Sequence, residues 1–327
     1  MYASKVLALA NPNHRLILVA RTLEKAELAK QQVMSVTKKN ENSQHNNDEN
    51  ILPMACDQSS IQSVKDFASN LRKHLCLSDT QKGGCIDVLC LNAATLHNSN
   101  VPEFTFDGLE TTFQTNHLAP FLIVNLIHDL MKPQGRVVVT GSGLHYDCTF
   151  GDFKGIQDPD TGLVRTSFPT VDGSDFSFKG AYATSKLCNV AFCMALNRKL
   201  EERGEKNIVA NCFTPGLIPE SGLFRNESAF RLMLFSLFAR WTRMSSTIEW
   251  GGGALAWMAT ADEAGKRGGE YWKTPMGSSH NDSTYGDDFC PVPASPEAMS
   301  EANQEKLWEI SSQLVGIPSN ILSVNKK

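Results

Sequence analysis

Residues 136–142 read RVVVTGS, in which three consecutive valines are followed by Thr, Gly and Ser. Two other short runs, LILVA at 16–20 and IDVLCL at 86–91, are also dominated by large apolar residues. Runs of this kind are typical of strands that are buried on both faces of a parallel sheet. Because helical segments separate them along the chain, the sequence predicts an α/β protein with helices on both faces of that sheet.

Most of the chain divides into predicted strands and helices. The pattern predicts strands at 16–20, 51–57, 86–91, 136–140 and 208–213. It predicts helices at 22–36, 60–75, 109–131, 181–203 and 296–315. Pro53 places the second strand at an edge of the sheet, since proline cannot donate a hydrogen bond to a neighbouring strand. Ser295 and Gly316 are the expected cap and stop of the last helix.

The composition is that of an ordinary globular protein. The chain has 327 residues, of which 41% are hydrophobic and 20% charged, and its formal net charge is −4. This apolar content argues against a disordered chain, and the slightly acidic balance argues against a nucleic-acid-binding protein. The nine cysteines form no CxxC pair, which indicates reduced thiols and no zinc site. We predict one domain over residues 1–327 and no metal site.

Three segments interrupt the alternation of strands and helices. Residues 37–50 are polar and rich in Asn, which predicts a flexible surface loop. Residues 146–179 contain many Gly, Asp and Pro residues and no clear period, which predicts a long insert without regular structure. Residues 217–241 contain several large apolar side chains and are expected to cover an apolar substrate. The alternative for this last segment is an amphipathic helix packed on the core or on a second copy of the chain.

Membrane and targeting signals are weak in this sequence. No stretch approaches the roughly 20 apolar residues that a membrane-spanning helix needs. The first ten residues, MYASKVLALA, lack the apolar region and cleavage site of a signal peptide and do not resemble a transit peptide.

Tyr182 and Lys186 are the strongest candidates for chemistry. On a helix these residues lie one turn apart on the same face. An ammonium group beside a phenol favours the phenolate, so we expect Lys186 to lower the Tyr182 pKa from its ordinary value of about 10. The pair could then exchange a proton with a substrate during hydride transfer. A YxxxK match is unspecific by itself, and an exposed Tyr and Lys are the alternative interpretation.

Three further features support that interpretation. Ser142 lies just past the end of a predicted strand, where its hydroxyl could bind a substrate atom. Asn92 and Ala93 follow the strand at 86–91, where small residues let the backbone approach a ligand closely. Asn116 lies inside the predicted helix at 109–131, where a buried amide is costly unless it has hydrogen-bond partners.

With these residues in this order, the chain resembles the short-chain dehydrogenase/reductases over nearly its whole length. The resemblance implies a Rossmann-type doubly wound fold and the catalytic residues Asn116, Ser142, Tyr182 and Lys186. It also implies contacts with a nicotinamide cofactor, in which Tyr182 and Lys186 take part. The other cofactor residues that it implies are Asp57 at the adenine, Asn92 and Ala93 beside the cofactor, Pro215 and Gly216 at the nicotinamide, and Ile218 at the carboxamide.

Arg21 indicates which nicotinamide cofactor is bound. It directly follows the strand at 16–20, where an acidic residue would accept the ribose 2′-hydroxyl and an arginine accommodates a 2′-phosphate. A guanidinium group can bind that phosphate through two parallel hydrogen bonds. The sequence therefore favours NADPH, and an exposed arginine at a helix start is the alternative.

Two branches of the family are similar to this chain. The segments FTFDGLE at 104–110 and GLIPESGLFR at 216–225 resemble light-dependent protochlorophyllide oxidoreductases. The segments DGLETTF at 107–113 and ASPEA at 294–298 equally resemble the retinol-dehydrogenase-like and WW-domain oxidoreductases. No cysteine just before Tyr182 matches the pigment-contacting cysteine of the first branch. Cys148, the one cysteine in the 146–179 insert, is no obvious counterpart, so the substrate stays open.

Each branch implies its own activity and location. The first implies light-driven reduction of the C17–C18 double bond of protochlorophyllide in plastids, as part of chlorophyll biosynthesis. The second implies an NADP-dependent carbonyl or alcohol oxidoreductase in the cytoplasm. A catalytically inactive member that acts as a binding protein is the third alternative. Both enzyme branches imply a large apolar small molecule as substrate, and they leave open peripheral membrane association and a homo-oligomer.

The glycine-rich TGxxxGxG turn of the family has no counterpart in this sequence. In the family this turn joins the first strand to the first helix and places backbone N–H groups against the cofactor pyrophosphate. Residues 1–10 resemble the rest of that helix. We therefore expect an N-terminally truncated chain that has lost the first strand together with any targeting segment, and a sheet with a gap between its two halves.

Overall fold

The computed structural model describes residues 1–11, 13–37, 49–76, 84–96, 99–150, 154–157, 164–167, 176–204, 207–219, 246–273 and 289–319. Its strands are β1 (Leu16–Ala20), β2 (Ile51–Ala55), β3 (Ile86–Leu91), β4 (Met131–Thr140), β5 (Lys154–Gln157), β6 (Val164–Ser167), β7 (Val209–Phe213), β8 (Tyr271–Lys273) and β9 (Cys290–Val292). Its α-helices are α1 (Tyr2–Ala10), α2 (Leu23–Thr37), α3 (Ile61–Cys76), α4 (Thr111–Phe113), α5 (Ala119–Ile127), α6 (Phe178–Glu202), α7 (Ile248–Thr260), α8 (Asp262–Lys266), α9 (Pro296–Met299) and α10 (Glu301–Val315).

The parallel strands form two separate sheets. β1 and β2 pair in parallel, with Leu16 opposite Ile51 and Ala20 opposite Ala55. The larger sheet has the order β3-β4-β7-β8-β9, in which only β9 runs antiparallel to its neighbour. In the part of the chain that the structure describes, no strand joins β1 to β3. The α/β class with a parallel sheet is thus confirmed, and the expected gap between the two halves is present.

The valines of β4 show why this strand is apolar on both sides. Val137 and Val139 belong to the main core, which α3, α5, α6 and α10 also line. Val138 points to the opposite face and belongs to a second core with residues of α1 and α7. All three side chains are at most 2% exposed. Because successive side chains of a strand point to opposite faces, a strand covered by helices on both faces needs a continuous apolar run.

The helix expected at 109–131 is broken into several pieces. α4 is followed by a π-helical segment at Gln114–Leu118, then by α5 and a 3₁₀ turn at His128–Leu130. Pro120 has no N–H to donate to the carbonyl four residues back, at Asn116, so the regular α-helical pattern cannot continue there. Met131 already belongs to β4, which begins five residues before the predicted strand and pairs with β3 through an irregularity.

The C-terminal helix is also divided, although its two ends are as expected. Ser295 accepts a hydrogen bond from the N–H of Ala298 and caps α9, and Ser300 caps α10 in the same way. Gly316 ends α10 in the left-handed region at a φ of 67°. The helix is interrupted at Ser300. The extended backbone of this residue ends α9, and its side chain caps the start of α10.

The three interrupting segments are described only in part. The expectation of no regular structure across 146–179 is wrong where the structure describes this insert, because β5 and β6 form an antiparallel hairpin and α6 begins at Phe178. Of the polar loop at 37–50, residues 38–48 lie outside the described residues. So do residues 220–241 of the segment expected to cover the substrate. The single domain over residues 1–327 stays a prediction. None of the helices in the described ranges is long and apolar enough to cross a membrane.

Candidate active site

Tyr182 and Lys186 lie in the first third of α6 and face the end of β4. Ser177 caps this helix by accepting a hydrogen bond from the N–H of Gly180, which fixes where α6 begins. The Lys186 Nζ lies 5.6 Å from the centroid of the Tyr182 ring and donates to the carbonyl of Thr140 at 2.9 Å. Lys186 is only 1% exposed, whereas Tyr182 is half-buried. The structure thus brings the two predicted residues together at the carboxyl end of the sheet.

The expected lowering of the Tyr182 pKa is wrong. Burial raises the pKa of the Tyr182 phenol well above its ordinary value near 10. Burial also lowers the pKa of the Lys186 ammonium from 10.5 to about 8. Desolvation disfavours the charged form of each group and is the largest cause of both shifts. Tyr182 therefore carries its proton at neutral pH, as a proton donor must.

Asn116 lies in the π-helical segment between α4 and α5 and connects this segment to α6. This fully buried side chain accepts a hydrogen bond from the Thr95 N–H at 2.7 Å and donates to the Thr95 carbonyl at 2.9 Å. It also donates to Ser185 Oγ at 3.1 Å, and that hydroxyl donates to the Tyr182 carbonyl at 2.7 Å. The buried amide therefore has the partners that its burial requires. Its bonds fix the second turn of α6 relative to the loop after β3.

Asn92 is joined to Lys186 through a single threonine. Thr140 Oγ1 donates to Asn92 Oδ1 at 3.0 Å, and the Thr140 carbonyl accepts from Lys186. Asn92 and Ala93 are exposed at the end of β3. Thr140 therefore links β3, β4 and α6 at the point where a ligand would approach the sheet.

Ser142 follows Gly141 at the end of β4 and is half-buried. Its hydroxyl caps a short 3₁₀ helix at Gly143–Asp147 by accepting a hydrogen bond from the Leu144 N–H at 3.3 Å. That 3₁₀ helix packs against α6. Among the described residues, no hydrogen bond joins Ser142 to Tyr182. The structure places both residues at the same end of the sheet without linking their hydroxyls.

Three hydroxyl residues of this network were not predicted from the sequence: Thr95, Thr140 and Ser185. Each stands within three residues of a predicted site residue, which is the only signal that the sequence offers. Their roles depend on partners between 21 and 69 residues away. Local sequence patterns contain no information about such contacts.

Arg21 and Asp57 lie side by side at the carboxyl ends of β1 and β2. The Arg21 Nε is 3.9 Å from Asp57 Oδ1, and the Arg21 side chain is 53% exposed. The same carboxylate oxygen accepts hydrogen bonds from the N–H and the hydroxyl of Ser59. Such an exposed ion pair contributes little to stability, so Arg21 stays available to an incoming anion.

Pro215, Gly216 and Ile218 form the turn after β7. Gly216 has a φ of 78°, and a Cβ atom added there would lie 2.0 Å from the hydroxyl oxygen of Ser246. The Ile218 and Pro215 side chains pack against Gly251 near the start of α7. Ile218 thus contacts α7 in this structure. Its predicted contact with a carboxamide stays a prediction.

We expect Gly216→Ala to destabilise the protein by roughly 2–4 kcal/mol, since it adds backbone strain to a steric collision. Gly204→Ala is the matched control, because Gly204 also has a φ of 78° but has no atom near its missing Cβ. Chemical denaturation of both variants measures the difference between strain alone and strain with collision. Equal destabilisation of the two would show that Ser246 readily moves aside. Ser246→Gly should partly rescue Gly216→Ala and leave Gly204→Ala unchanged.

The described residues fit the two ends of a dinucleotide. At one end, the buried Lys186 ammonium has N–H groups beyond the one bound to Thr140. At the other end, Arg21 presents an exposed guanidinium group. The described residues contain no glycine-rich turn for the pyrophosphate between these ends. They also contain no group of three or more His, Cys, Asp or Glu side chains that could hold a metal ion.

Comparisons with known proteins give the family. The short chain dehydrogenase family pattern matches residues 4–147. The chain is 30% identical to protochlorophyllide reductase, chloroplastic, of Pisum sativum, over 82% of this chain and 66% of the pea protein. It is 31% identical to the WW domain-containing oxidoreductase of Gallus gallus, over 80% of this chain and 55% of that protein. The chain thus spans just under two thirds of the length of the first relative and about half of the second.

A solved structure supports the same assignment at the level of fold. The protein is similar to Pseudomonas aeruginosa RhlG in an active-site complex with NADP, with a TM-score of 0.56 and 17% identity. The match covers 84% of this chain and 90% of that one. With this fold, the matched pattern and these relatives, the chain belongs to the short-chain dehydrogenase/reductase family of oxidoreductases, which use NAD(H) or NADP(H).

Proposed function

We propose that the chain is an NADPH-dependent reductase of the protochlorophyllide reductase type, acting on a large and apolar small molecule. The observation that carries this proposal is the pairing of Tyr182 with Lys186. The Tyr182 phenol carries its proton at neutral pH, as any tyrosine does below its pKa, and its ring centroid lies 5.6 Å from the Lys186 Nζ, one helical turn away. A reduction needs a proton donor beside the reacting atoms, so this arrangement suits reduction at neutral pH.

The residues around Tyr182 have separate roles in this proposal. Bound NADPH would supply the hydride to C17 of the pigment. Tyr182 gives its proton to C18, and Lys186 holds the nicotinamide ribose. Ser142 orients the substrate, while Asn116 keeps the second turn of α6 in place through Ser185. Pro215 and Gly216 would lie beside the nicotinamide.

The substrate class is supported by the identity to relatives that are named protochlorophyllide reductases. Four of these relatives, from Pisum sativum, Cucumis sativus, Chlamydomonas reinhardtii and Arabidopsis thaliana, are 28–30% identical over 80–82% of this chain. A plastid location and a role in chlorophyll biosynthesis belong to the same proposal.

A dark carbonyl or alcohol oxidoreductase is the second candidate. The chicken WW domain-containing oxidoreductase is 31% identical to this chain, which is as high as any of the pigment-reductase identities given above. The same Tyr182 proton could be given to a carbonyl oxygen, so the described site is compatible with both reactions.

One set of assays distinguishes these candidates. The purified chain with NADPH and protochlorophyllide is kept in the dark and then illuminated, and chlorophyllide absorbance is recorded. A parallel sample contains NADPH and retinal in the dark, and NADPH oxidation is recorded. Product that forms only in light supports the first candidate, and retinal turnover in the dark supports the second. If titration of NADPH fluorescence detects no binding, both enzyme candidates are contradicted.

Cofactor preference tests the proposed role of Arg21. We expect Arg21→Asp to shift the preference from NADPH towards NADH, because a phosphate-binding cation is replaced by a charge that repels the 2′-phosphate. The change is measured as the ratio of the two cofactor dissociation constants. Arg15→Asp is the control, since Arg15 is exposed just before β1, at the opposite end of the strand. Unchanged NADPH affinity in Arg21→Asp would show that Arg21 is only a surface residue.

A further inference from the structure

His145 stands three residues after Ser142 and bonds to the carbonyl of that serine. Its Nδ1 lies 2.7 Å from the Ser142 carbonyl oxygen, and its backbone N–H donates to the same oxygen at 3.3 Å. The Ser142 carbonyl is therefore held twice by a single residue. Within the described ranges, the Ser142 hydroxyl is engaged only as the acceptor for Leu144 N–H, which leaves its own hydrogen to donate.

The second ring nitrogen of His145 defines its tautomer. Its Nε2 accepts a hydrogen bond from the Ser295 N–H at 3.2 Å, so this nitrogen carries no hydrogen. The ring hydrogen is then on Nδ1, where it donates to the Ser142 carbonyl. Burial lowers the pKa of His145, which also favours this neutral form. The imidazole thus bridges the end of β4 and the cap of α9.

Aromatic packing holds the imidazole in this orientation. The ring of His145 is completely buried, and its centroid lies 4.0 Å from that of Tyr146 and 4.6 Å from that of Tyr271. The Tyr146 hydroxyl donates to the carbonyl of Pro293, two residues before Ser295. The Lys273 Nζ lies 5.5 Å from the centroid of the Tyr146 ring. This cluster makes the backbone at Ser142 depend on the C-terminal segment.

We propose that His145 is a positioning residue that orients Ser142 for the reaction by holding its carbonyl against the C-terminal segment. The proposal rests on the proposed function, in which Ser142 orients the substrate. Without the Nδ1 hydrogen bond, the Ser142 carbonyl keeps the longer bond from the His145 N–H but loses its link through the imidazole to Ser295, so the hydroxyl is held less firmly in its direction. The effect of His145 on turnover must then act entirely through Ser142.

Two substitutions separate the two hydrogen bonds of His145. The amide of an asparagine reaches the position of Nδ1, so His145→Asn can keep the bond to Ser142 and loses the bond to Ser295. The amide of a glutamine reaches the position of Nε2, so His145→Gln keeps the bond to Ser295 and loses the bond to Ser142. Both variants lose aromatic packing, and both are expected to have a lower Tm.

Turnover is measured for both variants, alone and combined with Ser142→Ala. We expect His145→Gln to lower kcat by about 10-fold with little change in KM, as for the loss of one hydrogen bond. We expect His145→Asn to keep most of kcat, and His145→Gln to cause no further loss in the Ser142→Ala background. Equal losses in both backgrounds, or a loss in His145→Asn as large as in His145→Gln, would overturn the proposal.

A second readout needs no substrate. Labelling serine carbonyl carbons with ¹³C and glycine nitrogens with ¹⁵N gives NMR signals only for the Ser-Gly pairs, which are Ser142-Gly143 and Ser221-Gly222. Ser142→Ala identifies the relevant signal by removing it. We expect this signal to move in His145→Gln and to stay close to its original position in His145→Asn. The opposite pattern would contradict the proposal even if no substrate is ever turned over.

His128 is the matched control for both measurements. It is also a buried histidine, at 7% exposure, and its Nδ1 lies 3.3 Å from the carbonyl of Asn125, three residues before it. We expect His128→Gln to lower the Tm and to leave kcat and the Ser142 signal unchanged. If His128→Gln changes both as strongly as His145→Gln does, the effect is one of general stability and the proposal fails.

Discussion

Replacing Tyr182 with phenylalanine is expected to lower turnover by roughly 10²–10⁴-fold and to leave NADPH binding nearly intact. The substitution removes the phenolic hydroxyl and keeps the ring, so the packing of α6 is preserved. Only the step that needs a proton donor should suffer. Because Ser185 bonds to the backbone carbonyl of Tyr182, the link to Asn116 also survives the change.

Steady-state kinetics and NADPH titration of Tyr182→Phe measure the two halves of this expectation. Tyr2→Phe is the matched control, since Tyr2 is a half-buried tyrosine of α1 that packs against Gly252 of α7 and has no role in the candidate site. Turnover of Tyr182→Phe within a factor of two of the parent would exclude Tyr182 as the proton donor. If Tyr182→Phe loses both NADPH binding and turnover, Tyr182 has a structural role instead.

Lys186→Met is expected to lower turnover by roughly 10²-fold or more, because it removes a positioned cation from the reacting centre. The same substitution should leave the stability of the folded protein unchanged or raise it. Burial lowers the pKa of Lys186 from 10.5 to about 8, so the charged side chain costs about 3 kcal/mol in the folded state below pH 8. The Thr140 carbonyl loses its partner, which offsets about 1–3 kcal/mol of the gain. We therefore expect a Tm at pH 7 that is equal to or higher than that of the parent.

The pH dependence of stability shows whether the buried Lys186 ammonium stabilises or destabilises the folded state. The pKa of Lys186 is lower in the folded state than in the unfolded state, so the unfolded state binds more protons between pH 8 and pH 10.5. The contribution of Lys186 to stability therefore rises with pH across this window, and it is most unfavourable below pH 8. Lys186→Met should lack this rise, which a series of thermal unfolding curves will show.

Lys132→Met is the control for these curves. Lys132 is an exposed lysine that pairs with Asp87 at the surface, so its substitution should retain the pH dependence of the parent. If Lys186→Met lowers the Tm at pH 7 by several degrees, the ammonium group stabilises the fold, and the argument from its burial is wrong.

The strands were predictable because their signal is local. β1 and β3 begin and end at the predicted residues, and the continuous valines of β4 reflect burial on both faces. A run of apolar residues contains this information without reference to any other part of the chain. The broken helix at 109–131 was not predicted, although Pro120 was visible, because the π-helical segment depends on how its backbone groups are satisfied.

The sequence by itself predicted the α/β class and the strands β1, β2, β3, β4 and β7 in their order along the chain, and it proposed Tyr182 and Lys186 as candidates for proton transfer. Only the tertiary structure decided how these residues behave. It showed that burial raises the pKa of Tyr182 and that Thr140 binds the Lys186 ammonium. It also showed that His145 connects Ser142 to a residue 150 positions away in the sequence. The physical reason is that desolvation and hydrogen-bond partners arise from contacts between distant segments, which a periodic pattern along the chain does not contain.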